Sequence, residues 1–203
     1  MKIIFVHGWG ADASYWDNLA PLVKGGEDAQ RVDLGFTNKP AYQPQEDALY
    51  ITHSLGTLWA LKHRHKNMRG LVAMNGFACF KSFTPPRILK MMQTGLAKDL
   101  VSQMHAFFIA ACMPQQDDLN PNALHEGLEW LVQHDTRPTL AELECPIMAL
   151  LSGEDKIIPI GAAQEQWADF DTHVCADGDH NIPQNRAQWC ADHINAYIQE
   201  HMT

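Results

Sequence analysis

Ser54, Asp155 and His180 are of the types, and stand in the order, that nucleophilic acyl transfer requires. A serine hydroxyl is a weak nucleophile at neutral pH. It needs a base to take its proton, an acid to orient that base, and N–H donors for the oxyanion. Ser54 lies in Thr52-His53-Ser54-Leu55-Gly56, between an apolar run, Ala48 to Ile51, and a helix-like run, Thr57 to His63. A serine at a strand-to-helix turn with glycine two residues on has the form of a nucleophile elbow, in which backbone strain lifts the hydroxyl clear of the sheet. The usual pattern is G-x-S-x-G, and Thr52 occupies the first glycine position. Asp155 follows the apolar run Ile147 to Leu151, and His180 follows the run Thr172 to Cys175. The 25 positions between acid and base fit one helix plus one strand.

The oxyanion would be held by backbone N–H groups. One is expected from Leu55, the residue after the serine, at a helix N-terminus. The other is expected from Trp9, in the loop His7-Gly8-Trp9-Gly10, where glycines allow the backbone to approach a reacting carbonyl. Plainer readings stand beside these. A serine at such a turn also serves as an N-cap. Glu154 is a rival acid. His173 is a rival base, although inside a strand it would point to a sheet face. His7 reads as a hydrogen-bonded structural histidine beneath the site. His63 and His65 read as surface residues, and no pair of histidines has metal-ligand spacing, so neither metal nor cofactor is expected.

The elements that must position these groups alternate. Strands are predicted at Lys2–Val6, Ala29–Leu34, Ala48–Ile51, Gly70–Met74, Ile147–Leu151 and Thr172–Cys175. Helical spacing is seen at Ser14–Val23, with Pro21 as a break, and helices are predicted at Thr57–His63, Gly161–Asp169 and Arg186–Ile198. Gly35 to Asp47, with Pro40 and Pro44, reads as a loop. Phe77 to Pro138 contains no convincing strand and offers three helices, near Pro86–Ala97, Asp99–Cys112 and Asn120–His134. The pattern predicts an α/β fold: a mainly parallel sheet with helices on both faces. Residues 1–76 and 139–203 would form its core, and residues 77–138 a helical cap over the carboxyl ends of the strands, where such sheets bind ligands.

Composition bounds the rest. The 203 residues fit one domain with a real core, 46% of them apolar and 19% charged. No apolar run approaches the length of a membrane span. The first residues enter a strand directly, with no signal-peptide pattern. Five scattered cysteines without a C-x-x-C point to reduced thiols and a cytoplasmic setting. A net charge of −9 disfavours nucleic acid and anionic membranes as partners. Against that background Lys81, Arg87, Lys90 and Lys98 form a stretch with no acidic residue, either a solvated helix face or a docking patch for an acidic partner.

Taken together, His7-Gly8-Trp9-Gly10, Ser54-Leu55-Gly56, Gly153-Glu154-Asp155 and Gly178-Asp179-His180 resemble the motifs of the α/β-hydrolase superfamily, over nearly the whole chain. More narrowly, the chain resembles the carboxylesterases of biotin synthesis that cleave pimeloyl-acyl carrier protein methyl ester. That likeness lies in His7-Gly8-Trp9-Gly10, in Leu71-Val72-Ala73 leading to Ala78-Cys79-Phe80, and in Gly127-Leu128-Glu129-Trp130-Leu131 through Pro138-Thr139-Leu140. The resemblance implies nucleophile, acid and base at Ser54, Asp155 and His180, with oxyanion donors at Trp9 and Leu55. Gly-x-Asp is the commoner form of the acid turn in such folds, which favours Asp155 over Glu154.

The resemblance further implies an acyl ester substrate and an acidic acyl carrier protein as partner, met by Arg87, Lys90 and Lys98 on one face of a cap helix. Ile88, Leu89, Met91, Met92, Phe107 and Phe108 are the candidates to line an acyl channel or to pack the cap. A thioesterase or generic short-acyl esterase would use the same triad. A silent binding protein would carry Thr52 as a mark of decay. Two departures from the family pattern are Thr52 itself and the short Gly35–Asp47 connection, which stands where a helix is usual. That connection is expected to leave one sheet face less covered and open to self-association.

Overall fold

The computed structural model describes residues 1–202. Six strands form one sheet: β1 (Ile3–Val6), β2 (Gln30–Val32), β3 (Ala48–His53), β4 (Met68–Met74), β5 (Ile147–Ser152) and β6 (Asp171–Cys175). Their order is β2-β1-β3-β4-β5-β6, and all five pairings are parallel. The expected α/β class is what the chain adopts. Strands covered on both faces read as continuous apolar runs. Accordingly, every residue of β1, β3 and β5 is buried.

Helix α1 (Leu55–Arg64) follows β3, α6 (Ile160–Gln166) follows β5, and α7 (Ile182–Asn185) with α8 (Ala187–His201) close the chain. Helix α8 buries Cys190, Ala191, Ile194, Tyr197 and Ile198, a stripe at helical spacing laid on the sheet. Between β4 and β5 lie α2 (Pro86–Lys98), α3 (Leu100–Ala110), α4 (Pro121–Gln133) and the short α5 (Arg137–Ala141). Asp99 caps α3 by accepting from Ser102 N–H, and Asn120 caps α4 by accepting from Asn122 and Ala123 N–H. These caps and the prolines at the first turns of α2 and α4 explain why the helix boundaries were legible within one or two residues.

One expectation needs correction. Ser14–Val23 is not a helix. It forms two short 3-10 turns, Ala13–Trp16 and Ala20–Leu22. Pro21 has no N–H to extend a helix through this stretch, while Asp12 caps the first turn and Trp16 and Leu19 fill the core from it. The Gly35–Asp47 connection is irregular, as expected. Phe36 is fully buried beneath it, and Arg64 of α1 donates from Nε to Pro44 O at 3.0 Å. Antiparallel bridges join Asp33 to Tyr42 and Thr37 to Leu119. Phe36 meets the rings of His7 and of Trp130 in α4, while Asn38, Lys39 and Tyr42 of the connection are exposed.

The β4–β5 helices lie against the loop after β1. A Cβ added at Gly127 of α4 would sit 2.7 Å from Trp9 Cδ1 and 2.8 Å from Phe36 Cε1, so only glycine permits this approach. Trp9 Nε1 in turn donates to Leu124 O at 2.9 Å. Helix α4 is thereby packed on the loop after β1.

Candidate active site

Ser54 sits between β3 and α1 with φ 52° and ψ −126°, a conformation rare for a side-chain-bearing residue. Its N–H donates to Met74 O at 3.1 Å, which ties the turn to the end of β4. The turn brings α1 so close that a Cβ at Gly56 would lie 2.5 Å from both Val6 O and His7 O. Gly56 is therefore obligatory. Thr52 is not a defect here. Its hydroxyl donates to Val72 O (3.1 Å) and so accepts from Thr57 Oγ1 (2.7 Å). Space for that pair exists because residue 76 is glycine: a Cβ there would meet Thr57 Oγ1 at 2.1 Å. The buried hydroxyl is satisfied and the strained serine conformation is retained beside it.

Asp155 stands in the turn after β5. Its Oδ1 accepts from Ile157 N (2.7 Å) and Ile158 N (2.9 Å), and its Oδ2 lies 2.8 Å from His180 Nδ1. Both side chains are only 2% exposed. A carboxylate so buried needs its donors, and it has three. As the carboxylate only accepts, Nδ1 of His180 carries hydrogen and Nε2 presents a lone pair. That Nε2 lies 3.1 Å from Ser54 Oγ. The acid and base turns are zipped together, with Gly153 N donating to Cys175 O (2.8 Å) and Glu154 N to Gly178 O (2.9 Å).

The rival groups lie elsewhere. Glu154 is exposed. His173 pairs with Asp171, and its ring lies tilted against that of His193 with centroids 4.2 Å apart. His7 donates from Nδ1 to Gly8 O (2.9 Å) and accepts at Nε2 from Leu34 N (3.1 Å), the structural role expected of it. Among the described residues, no cluster of three or more histidine, cysteine or acidic side chains could hold a metal ion.

Ser54, Leu55 and Trp9 border one cavity of about 150 Å³. Leu55 opens α1, so its N–H has no acceptor within the helix. Phe77, Phe80, Ile88, Met92, Phe107 and Leu131 make the walls, and Lys156 adds one cation. A wider groove of about 700 Å³ against α5 and α6 has no histidine in its lining. Of the residues named as channel candidates, Ile88, Met92 and Phe107 border the Ser54 cavity. Phe108 does not: it is fully buried and packs toward Gly10. Leu89 is buried in the helix packing and Met91 is 61% exposed. Sequence periodicity places side chains on a helix face but does not say which face meets the sheet. Phe77, Phe80, Leu131 and Lys156 were missed for the same reason, since only folding brings them to Ser54.

Arg87, Lys90 and Lys98 are exposed and line one groove of about 520 Å³ with Met91, Thr94 and Gln103. None of the three is in an ion pair among the described residues.

Burial pushes the imidazole of His7 below its ordinary value of 6.5, and that of His53 well below it. Both rings stay neutral in the fold while the unfolded chain protonates them near 6.5. Below that pH the unfolded state binds more protons, so stability rises with pH. The stabilisation is complete above about 6.5 and is lost as pH falls below it. The thermal midpoint is expected to drop steadily from about pH 7 to about pH 5. A flat profile over that range would contradict neutral burial.

The parallel six-stranded sheet flanked by helices is of the α/β-hydrolase fold. Solved structures of similar fold include a bromoperoxidase from Bacillus anthracis (TM-score 0.81, 11% identity, covering 98% of this chain and 91% of that one). Another is an esterase from Exiguobacterium antarcticum (TM-score 0.79, 12% identity, 98% and 92%). At these identities the likeness is one of fold. In sequence, the chain is 26% identical to the biotin biosynthesis bifunctional protein BioHC of Cellvibrio japonicus, over 92% of this chain and 45% of that protein. It is 24% identical to the pimeloyl-[acyl-carrier protein] methyl ester esterase of Photorhabdus laumondii, over 81% and 79%. The chain thus spans less than half the length of the bifunctional relative. No protein-family model matches it.

Proposed function

We propose that this chain is a serine carboxylesterase working through an acyl-enzyme. The observation that carries the reading is the continuous array Asp155–His180–Ser54, at 2.8 and 3.1 Å, ending at a strained serine that opens into an apolar cavity. His180 Nε2 takes the proton of Ser54 as Oγ attacks the ester carbonyl. Trp9 and Leu55 N–H groups hold the oxyanion, each worth roughly 10²–10³ in rate. The imidazolium then protonates the departing alcohol, and water deacylates the enzyme by the same route. Asp155 keeps the imidazole in the productive tautomer.

The substrate we infer is the methyl ester of a medium dicarboxylic acyl chain on acyl carrier protein, the substrate in the names of curated relatives. The apolar walls and the unpaired basic face of α2 support that choice. In this reading residues 77–138 act as a cap, and the five free cysteines fit a reducing, cytoplasmic compartment. Assay of pimeloyl-carrier methyl ester beside the corresponding thioester tests it. Methyl ester cleavage is expected; cleavage of the thioester alone would replace the reading with a thioesterase.

The docking face has its own test. Arg87→Glu with Lys90→Glu is expected to lower kcat/KM for the carrier-bound ester by about tenfold or more at low salt, and to leave a small soluble ester unaffected. Equal effects on both substrates would remove the docking role.

A further inference from the structure

The catalytic histidine is held by more than its acid. His53 is the last residue of β3, directly before Ser54, and is 1% exposed. Its Nε2 lies 2.8 Å from the main-chain carbonyl oxygen of His180. A carbonyl only accepts, so Nε2 carries hydrogen and Nδ1 is bare. The ring is wedged in place: it stacks on Tyr15 (centroids 4.9 Å, 25°), lies against the His180 ring (4.9 Å, 54°), and meets Gly8, where a Cβ would be 2.9 Å from Nδ1.

A second donor reaches the same carbonyl from the next strand. Asn75, just past β4, is 2% exposed and held at φ 42°. Its Nδ2 lies 3.1 Å from His180 O, 2.9 Å from Asp179 O and 2.9 Å from Ser152 Oγ. The left-handed backbone is uncommon for a side-chain-bearing residue, though asparagine tolerates it better than most. Here it aims the amide at the loop that carries the base.

We propose that His53 and Asn75 are positioning residues for His180, clamping its carbonyl from two strand ends and so setting the reach of its imidazole to Ser54. The roles rest on the esterase reading above and go beyond it. The loop after β6 is tied to its surroundings through Gly178, Asp179 and Asn181, but His180 itself is otherwise held through its ring, by Asp155 at one nitrogen and Ser54 at the other. Donors on the carbonyl fix the main chain as well. Because one donor is the neighbour of the nucleophile in the chain, any displacement of the elbow moves base and serine together. Burial keeps the His53 ring neutral, which suits a single-donor role and not that of a second base. A misplacement of about 1 Å in such an array can cost about 10²-fold in rate.

The test compares His53→Leu, which fills the space without a donor, with His53→Gln, whose amide nitrogen has the reach of Nε2. Asn75→Asp, near-isosteric but lacking the amide donor, is the independent variant should His53→Leu fail to fold. Hydrolysis of a small soluble ester is measured, together with the low-field proton resonance of the His180 Nδ1–H···Asp155 bond. In His53→Leu and Asn75→Asp, kcat is expected to fall about 10–100-fold with KM changed by no more than about twofold, and the resonance to shift or broaden. His53→Gln should restore both. Equal losses in the leucine and glutamine variants with an unmoved resonance would mean packing alone, and overturn the proposal. Wild-type kcat in a folded His53→Leu would do the same. The resonance needs no turnover. If the wild-type protein cleaves no ester, that counts against the esterase reading, while the response of the resonance still decides the clamp.

Discussion

Replacing Ser54 with alanine is expected to lower ester hydrolysis by about 10⁶-fold and to abolish labelling by a fluorophosphonate probe. The expectation follows from the geometry of one atom. Ser54 Oγ is within 3.1 Å of His180 Nε2, at the mouth of the cavity, at the start of α1. Removing it leaves the base and the N–H donors without an atom to form the acyl bond. Alanine preserves Cβ, so the φ of 52° is no more strained than before and the Ser54 N bond to Met74 O remains. The variant should therefore melt close to the parent, and loss of activity can be read as chemistry. Undiminished turnover or persistent labelling in a folded Ser54→Ala protein would sink the serine mechanism.

Asp155→Asn is the second large effect, an expected fall of about 10⁴-fold in kcat. The asparagine oxygen can keep the bonds from Ile157 and Ile158 N–H, so the turn survives. Its amide would then face His180 Nδ1 as a donor, where the carboxylate had accepted at 2.8 Å. Nδ1 must become the lone-pair nitrogen and Nε2 the protonated one. In that tautomer the imidazole cannot take the serine proton, and the imidazolium formed on attack loses its buried counter-charge. Glu154, exposed in the same turn, has no route to substitute. Glu154→Gln should leave kcat within about twofold, as surface changes away from such networks generally do. A large loss in Glu154→Gln with little in Asp155→Asn would reverse the assignment of the acid.

Much of this was readable from local rules. Strands β1, β3 and β5 are apolar runs ended by Gly, Ser or Asp, because a parallel strand buried on both faces must be apolar and its carboxyl end must turn. Cap residues and first-turn prolines marked α2 and α4. Reading failed where two local signals conflict or where no local signal exists. Trp16, Leu19, Leu22 and Val23 have helical spacing, yet Pro21 and the Asp12 cap leave two short turns. The Gly35–Asp47 connection has no periodicity. Its path depends on the burial of Phe36 and on contacts with Arg64 and Leu119, residues distant in the chain.

Residue type and order, by themselves, determined a serine, an acid and a histidine each at the carboxyl end of a strand, since those turns are written in adjacent residues. The tertiary structure alone decided how Thr52 is tolerated, because its hydroxyl needs Val72 from one strand and Thr57 with Gly76 around one pocket. It likewise decided that Phe107 and not Phe108 faces the serine, and that His53 and Asn75 meet at the carbonyl of His180. Such choices are set by which face of a helix is pressed against the sheet and by groups more than 100 positions apart, and no spacing along the chain encodes them.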